Sequence, residues 1–275
     1  METKVIVAYV VCDDTIKDLK IKEDSQSKMS MAEVMTTGIV STLLFGGNME
    51  NARKYLKETG CIPHMLDKSQ LNRRLHNIKR EVWSTVLKIL SLEFSKQNIN
   101  NEFIVDSCPI HTCKLARMTR SKLYSERKYL GYCAAQDEFF VGLKLHMICD
   151  VKGNPVQFIL LPGSENDMKA FKKIELNLPE NSSIYADKAY VDYAYEDRLI
   201  QEKQVHLLPI RKKNSKRRGG GFLAKIRSQK RKMIETAFSC IEKLMPRSIH
   251  AVTKAGFELK TTLFVLAYAV GRLNF

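Results

Sequence analysis

The sequence lacks several features that would fix its class at once. Its longest apolar run, Leu263 to Val270 between Lys260 and Arg272, is far too short for the roughly 20 residues that cross a bilayer. It reads as a buried helix, and no membrane partner is expected. The start, Met1-Glu2-Thr3-Lys4, leads through a short apolar run to Asp13-Asp14 without a small-residue cleavage site, so no signal peptide is read. Paired Cys-x-x-Cys spacing is missing. The seven cysteines are odd in number and irregularly placed, which suits a reduced cytoplasmic protein. The segment Cys108-x-x-His111-x-Cys113 does not have the spacing of a structural zinc site. No internal repeat, phosphate-binding glycine loop or Walker pattern occurs, so no nucleotide is expected as an energy source.

Acidic residues are also scarce. There are 30 against 45 lysines and arginines, giving a net charge of +15 and a pI near 9.5. Such an excess points to a polyanion, either nucleic acid or an acidic membrane surface. What is present is otherwise ordinary: 275 residues, 44% hydrophobic and 27% charged. That excludes wholesale disorder and a collagen-like fibre, and allows one large domain or two small ones.

Residues 1–100 read as a helical N-terminal domain. Val5 to Leu19 carries an apolar stripe. Ser30-Met31-Ala32-Glu33 fits a capping box for a helix running to Leu44 and stopped by Gly46-Gly47. Asn48 to Lys57 forms another helix. Asp67 or Ser69 caps a further one, continued by the helical spacing of Val82, Trp83, Val86, Leu87, Leu90 and Phe94. The character changes near 101. Phe103-Ile104-Val105-Asp106-Ser107 is a short β-branched run. Phe139–Cys149 and Val156–Leu161 form a hairpin across the turn residues Asp150 to Pro155. A helix over Asp167–Leu176, capped by Asp167, a strand over Ser183–Ala186, a helix over Tyr195–Lys203 and a strand over Val205–Ile210 follow. The expected class is α/β, a mixed sheet with helical cover.

Residues 211–232 hold eleven lysines and arginines and no acid, with Gly219-Gly220-Gly221 in the middle. This reads as a flexible basic loop that grips phosphates. Helices over Lys232–Met245 and Ala255–Leu273 close the chain.

Three acids stand out. Asp106 lies inside a β-branched strand, where a lone carboxylate is costly unless paired or metal-bound. Asp187 follows a strand end, a usual edge for a site. Glu235 shares a helix face with Arg231, away from Ile234, Phe238 and Ile241. Oxygen donors of this kind suit magnesium or manganese, and two such ions support phosphodiester cleavage. Each acid also has a plainer reading: a satisfied core acid, a turn or N-cap residue, and a partner of Arg231 or Ser239. Lys144 and His146 alternate with Leu143, Leu145 and Met147, on a face that either meets DNA or is hydrogen-bonded. Tyr190, Tyr193 and Tyr195 either stack on unpaired bases or pack.

Four blocks carry a family resemblance: Phe103 to Ile110, Gly142-Leu143-Lys144-Leu145-His146, Ile184 to Tyr190, and Arg231 to Ser239. In this order they resemble the IS982 family of transposases, DDE-class enzymes of bacterial insertion sequences. The resemblance implies a ribonuclease H-like catalytic core over 101–275. Asp106, Asp187 and Glu235 take the places of its three metal-binding catalytic acids, with Mg2+ as cofactor and Mn2+ as substitute. It also implies cleavage at element ends and joining of the 3′-hydroxyl to target DNA. The partners would be terminal inverted repeats and target DNA, bound by a homodimer or higher oligomer in the bacterial cytoplasm at the nucleoid. DNA contacts are then expected from Lys144, Lys188, Arg211, Lys212, Lys213, Lys216, Arg217, Arg218 and Arg231. The N-terminal helices would bind DNA ends or dimerise. The IS4-type pattern around the glutamate is only partly matched: Arg231 fits, Ser228 stands for its tyrosine, Glu242 for its lysine, and Ala189 for a glycine after Asp187-Lys188. Two other functions use the same residues, a non-catalytic DNA-binding regulator and a nuclease without strand transfer.

Overall fold

The computed structural model describes residues 2–134, 137–211, 215–217 and 221–273. The chain divides into two compact units, Met1–Leu92 with Cys240–Phe275, and Glu93–Ser239. The first division lies close to the change of character near 101, and the last segment groups with the N-terminal helices.

The first unit is helical. It contains α1 (Glu2–Asp18), α2 (Met31–Phe45), α3 (Met49–Glu58), α4 (Lys68–Asn77), most of α5 (Arg80–Ser95), and the last helix, α9 (Lys254–Arg272). Helix α2 is buried on nearly every side, through Val34, Met35, Ile39 and Val40, and forms the centre of this unit. Its start is the expected capping box: the Ser30 hydroxyl accepts from Glu33 N–H while Glu33 accepts from Ser30 N–H. Gly46, at φ +55°, supplies the left-handed stop. Asn48 and Asp67 cap α3 and α4. Lys4 of α1 donates to the carbonyls of Gly271 and Leu273 at 2.7 and 2.9 Å. It thereby satisfies acceptors that α9 leaves open at its C-terminus.

The second unit is built on a mixed sheet. Its strands are β1 (Glu102–Cys113), β2 (Leu130–Cys133), β3 (Glu138–Asp150), β4 (Pro155–Pro162), β5 (Ser183–Ala186) and β6 (His206–Pro209). The order is β2-β3-β1-β5-β6, with β4 also paired to β3. The expected hairpin is β3–β4. Its turn is fixed by the buried carboxylate of Asp150, which accepts from the N–H groups of Lys152 and Asn154 and from the Asn154 amide. Strands β1, β5 and β6 run parallel, whereas β1 and β3 are antiparallel. The strand read over 103–107 continues to Cys113, through Pro109. Proline is tolerated there because β5 has already ended and β1 has only one neighbour.

One sheet face is covered by α6 (Asp167–Lys172) and α7 (Tyr193–Lys203), with Phe171, Tyr190, Tyr195 and Leu199 packed against Phe103, Val105, Ile148 and Ile184. Helix α6 is shorter than expected and is capped by Asn166 rather than by Asp167. The Asn166 side chain accepts from Met168 and Lys169 N–H, which leaves Asp167 to face inward. Helix α8 (Gly221–Leu244) starts eleven residues before Lys232. The basic segment from 221 onward is therefore helical rather than a loop, and two of its cations, Lys230 and Arg231, meet acids of the sheet, as described below.

One glycine is dictated by close approach. A Cβ on Gly142 would stand 2.0 Å from the Ile110 carbonyl oxygen across the β1–β3 ladder. Gly142→Ala is expected to lower stability by about 3 kcal/mol or more, read as a shifted urea midpoint at unchanged slope.

Candidate active site

The site forms where two parallel strands stop pairing. The last β1–β5 pair is Val105 with Ala186. Asp187 follows the carboxyl end of β5, and Asp106 is the β1 residue just beyond the last parallel pair, so both acids stand where the parallel pairing stops, a usual position for a site in such sheets. Asp187 leads a single tight turn, Lys188–Tyr190, but its side chain makes no capping bond. The turn-former reading therefore does not account for its carboxylate.

Helix α8 lies over the face that carries Glu102 and Asp106. Lys230 donates to Glu102, which also accepts from the Tyr185 hydroxyl at 2.7 Å. The next residue, Arg231, reaches the three acids. Its guanidinium lies 2.7 Å from Asp106 Oδ2, 3.3 Å from Asp187 Oδ1 and 3.8 Å from Glu235 Oε1. The other Asp106 oxygen accepts from Ser107 N–H at 2.8 Å. Asp106 is largely buried, whereas the Glu235 side chain is 61% exposed and opens the cluster to solvent. Burial raises the Asp106 carboxyl above the ordinary aspartate value, and the Arg231 guanidinium opposes that rise.

The structure thus brings Asp106, Asp187, Glu235 and Arg231 together. As they stand, no three acidic, histidine or cysteine side chains among the described residues are grouped closely enough to hold an ion. A guanidinium holds the ground between the three carboxylates. The donor set, carboxylate oxygens without thiolate or imidazole, fits a hard divalent ion such as magnesium.

The expected DNA-contacting residues divide. Lys188 and Lys216 are exposed. Lys212, Lys213 and Arg218 lie outside the described residues. Arg211 makes a two-pronged pair with Glu196, and Arg217 with Asp197. The basic segment has no acid of its own, but α7 supplies two. Tyr193 lies beneath both arginines, with its ring centroid 5.2 and 5.0 Å from their guanidinium carbons, while Tyr190 and Tyr195 pack edge-on against Phe171. Base stacking is therefore not the role of Tyr190.

A second polar cluster, which the sequence does not reveal, lies on the opposite face of β1. Ser107 pairs in register with His146 and donates its hydroxyl to Asp167 at 2.8 Å. Lys144 donates to the same carboxylate and to the Glu165 carbonyl, both at 3.2 Å. On this face Lys144 is hydrogen-bonded and His146 is buried. The only early sign was a histidine and a lysine alternating with apolar residues on one strand.

The model of the transposase DDE domain family matches residues 95–251. The chain belongs to this family. The matched span of the DDE domain contains Asp106, Asp187, Arg231 and Glu235. A piggyBac transposase synaptic complex with hairpin DNA, solved by cryo-EM, is similar at 9% identity and a TM-score of 0.49, covering 98% of this chain and 74% of that one. No curated protein matches the chain. No described helix is long and apolar enough to cross a membrane.

Two predictions follow from the charges around the DDE core. Glu196 is 3% exposed and is held by Arg211. Arg211→Ala leaves the buried carboxylate only its 3.5 Å contact with Arg217 and is expected to cost about 2 kcal/mol in chemical denaturation. His146 is fully buried and neither ring nitrogen has a hydrogen-bond partner among the described residues. Asp167 stands 3.8 Å away, too far for a hydrogen bond, so burial prevails and pushes the imidazole down to about 4. The unfolded chain then binds the extra proton between its ordinary value and about 4. Stability is full above about 6.5 and falls as the pH drops through that window, by up to about 3 kcal/mol. His146→Gln is expected to flatten that part of the stability–pH curve.

Proposed function

We propose that this chain is the transposase of an insertion sequence, of the IS982 type, with Asp106, Asp187 and Glu235 as its catalytic acids on a ribonuclease H-like core. The observation that carries the reading is the meeting of these three carboxylates around Arg231, from two neighbouring parallel strands and one helix, inside the span matched by the DDE family. Held by these acids, magnesium, or manganese in its place, supplies an activated water and charge neutralisation at the scissile phosphate.

The chain's own residues do the rest. Ser107 N–H fixes one Asp106 oxygen and leaves the other facing the cluster. Lys230, Glu102 and Tyr185 hold α8 on the sheet, which sets the height of Glu235 above the strand ends. Lys188 and Lys216 are exposed cations for the phosphate backbone. Lys144, Arg211 and Arg217 support the fold through the acids they bind, so they contribute to DNA contact less than their charge suggests. Lys212, Lys213 and Arg218 are proposed phosphate contacts as well.

The reaction proposed is hydrolysis at the element ends followed by attack of the freed 3′-hydroxyl on target DNA. The helical unit is proposed to recognise terminal inverted repeats or to pair two protomers on DNA. A protein of this kind works in the bacterial cytoplasm, at the nucleoid.

The decisive variant is Asp106→Asn. Losing an outer-shell partner of a metal ligand already costs roughly 10–100-fold. Losing a ligand is expected to cost at least about a hundredfold in nicking of terminal-repeat DNA, with gel-shift affinity preserved because the phosphate-binding surface is untouched. Retained nicking in manganese would remove Asp106 from the mechanism. An assay for joined product on the wild-type protein separates a transposase from a nuclease that only cuts.

A further inference from the structure

Arg231 has more to do than pair with one acid. Among the described residues it is the cation that touches Asp106, Asp187 and Glu235 together, at 2.7, 3.3 and 3.8 Å. Three carboxylates this close repel one another, and one guanidinium in their midst offsets that repulsion. We propose that Arg231 is an internal counter-ion: it occupies the cation position while the site is metal-free and swings out when a divalent ion enters. The inference rests on reading the three acids as metal ligands.

Four observations carry it. First, the two cations need the same oxygen. Ser107 N–H already engages Asp106 Oδ1, so the oxygen that faces the cluster is Oδ2, and Arg231 holds it. An entering ion must take that oxygen from the arginine. Second, the docked guanidinium is not fully satisfied. Its Nε is buried and has no hydrogen-bond partner among the described residues. An unmade bond of a charged, buried donor disfavours the docked arrangement and eases its release.

Third, release does not undock the helix. Lys230 remains on Glu102 and Tyr185, and Ile234, Ala237 and Ile241 remain buried. Arg231 can leave by side-chain rotation alone. Fourth, the exit lies on the side of Glu235, whose side chain is mostly exposed. The charges agree with the exchange. Three carboxylates with one guanidinium retain a net negative charge, so a second cation is still attracted. A divalent ion carries twice the charge of the guanidinium and so competes with it for the shared Asp106 oxygen.

Arg231 is on this view a positioning residue. It keeps the acids converged before the ion arrives, and it sets the affinity with which the ion is taken up. The test is manganese binding to the full-length protein, followed by electron paramagnetic resonance, in wild type, Arg231→Ala, Arg231→Lys and Asp106→Asn. Removing the competitor is expected to tighten manganese binding about tenfold in Arg231→Ala, the ordinary size of coupling between two ligands of one protein. The melting temperature of the metal-free variant should fall, and its rise on adding manganese should exceed that of wild type. Lysine keeps the charge but loses the planar fork, so Arg231→Lys is expected to lie between the two.

Binding in Arg231→Ala that is equal to wild type or weaker, while Asp106→Asn still abolishes it, overturns the competition but leaves the acids as ligands. Should Arg231→Ala fail to fold, Arg231→Lys decides in the same way: no tightening overturns the proposal. If Asp106→Asn binds manganese as well as wild type, the acids are not the metal site, and the inference falls with that reading.

Discussion

A carboxylate in the middle of a sheet is tolerated only where a donor or a positive charge reaches it. For Asp106 that charge comes from Arg231, 125 residues further along the chain. The pairing explains why α8 can be helical at all over a stretch so rich in lysine and arginine. Lys230 and Arg231 are successive residues, and each finds an acid on the sheet beneath, Glu102 and Asp106. The Lys230 contact, with the buried Ile234 and Ala237, fixes the helix, and the helix in turn carries Glu235. The convergence of the three acids is thus a consequence of how the basic helix is neutralised.

Strand β1 keeps two charged neighbourhoods apart. Alternation sends Asp106 to the α8 side and Ser107 to the α6 side, where Asp167, Lys144 and His146 lie. The α6 side is dry enough to keep His146 neutral, and Asp167 Oδ1 there is held by Ser107 and Lys144. The α8 side is open through Glu235. One residue of register separates a closed structural cluster from an accessible one, and a slip in β1 would exchange them.

Much of this was legible from the residues. Local chemistry named the capping box at Ser30, the stop at Gly46, the hairpin turn at Asp150 and the strand at Ser183, because each is settled within a few residues. That three of the four motif blocks carry one acid each is likewise plain in the sequence. Long-range neutralisation was not. The segment 211–232 looked like an unbalanced loop, yet Glu196, Asp197, Glu102 and Asp106 pair with four of its cations from elsewhere. Asp167 looked like a cap because Asn166, one residue earlier, serves equally well by composition. The length of β1 through Pro109 depends on β5 ending early, which no residue of β1 itself announces.

The order in which the chain is made gives the Arg231–Asp106 contact a temporal side. During synthesis the sheet strands emerge well before α8, so Asp106 lies on a still uncovered face while its counter-charge is unmade. In that interval its carboxylate must stay hydrated, take up a proton, or borrow a cation from solution. The sheet centre therefore cannot close fully until residue 231 has left the ribosome, and a chain ending short of α8 keeps an acidic fault in its core. Assembly of the acid cluster is thereby tied to synthesis of α8.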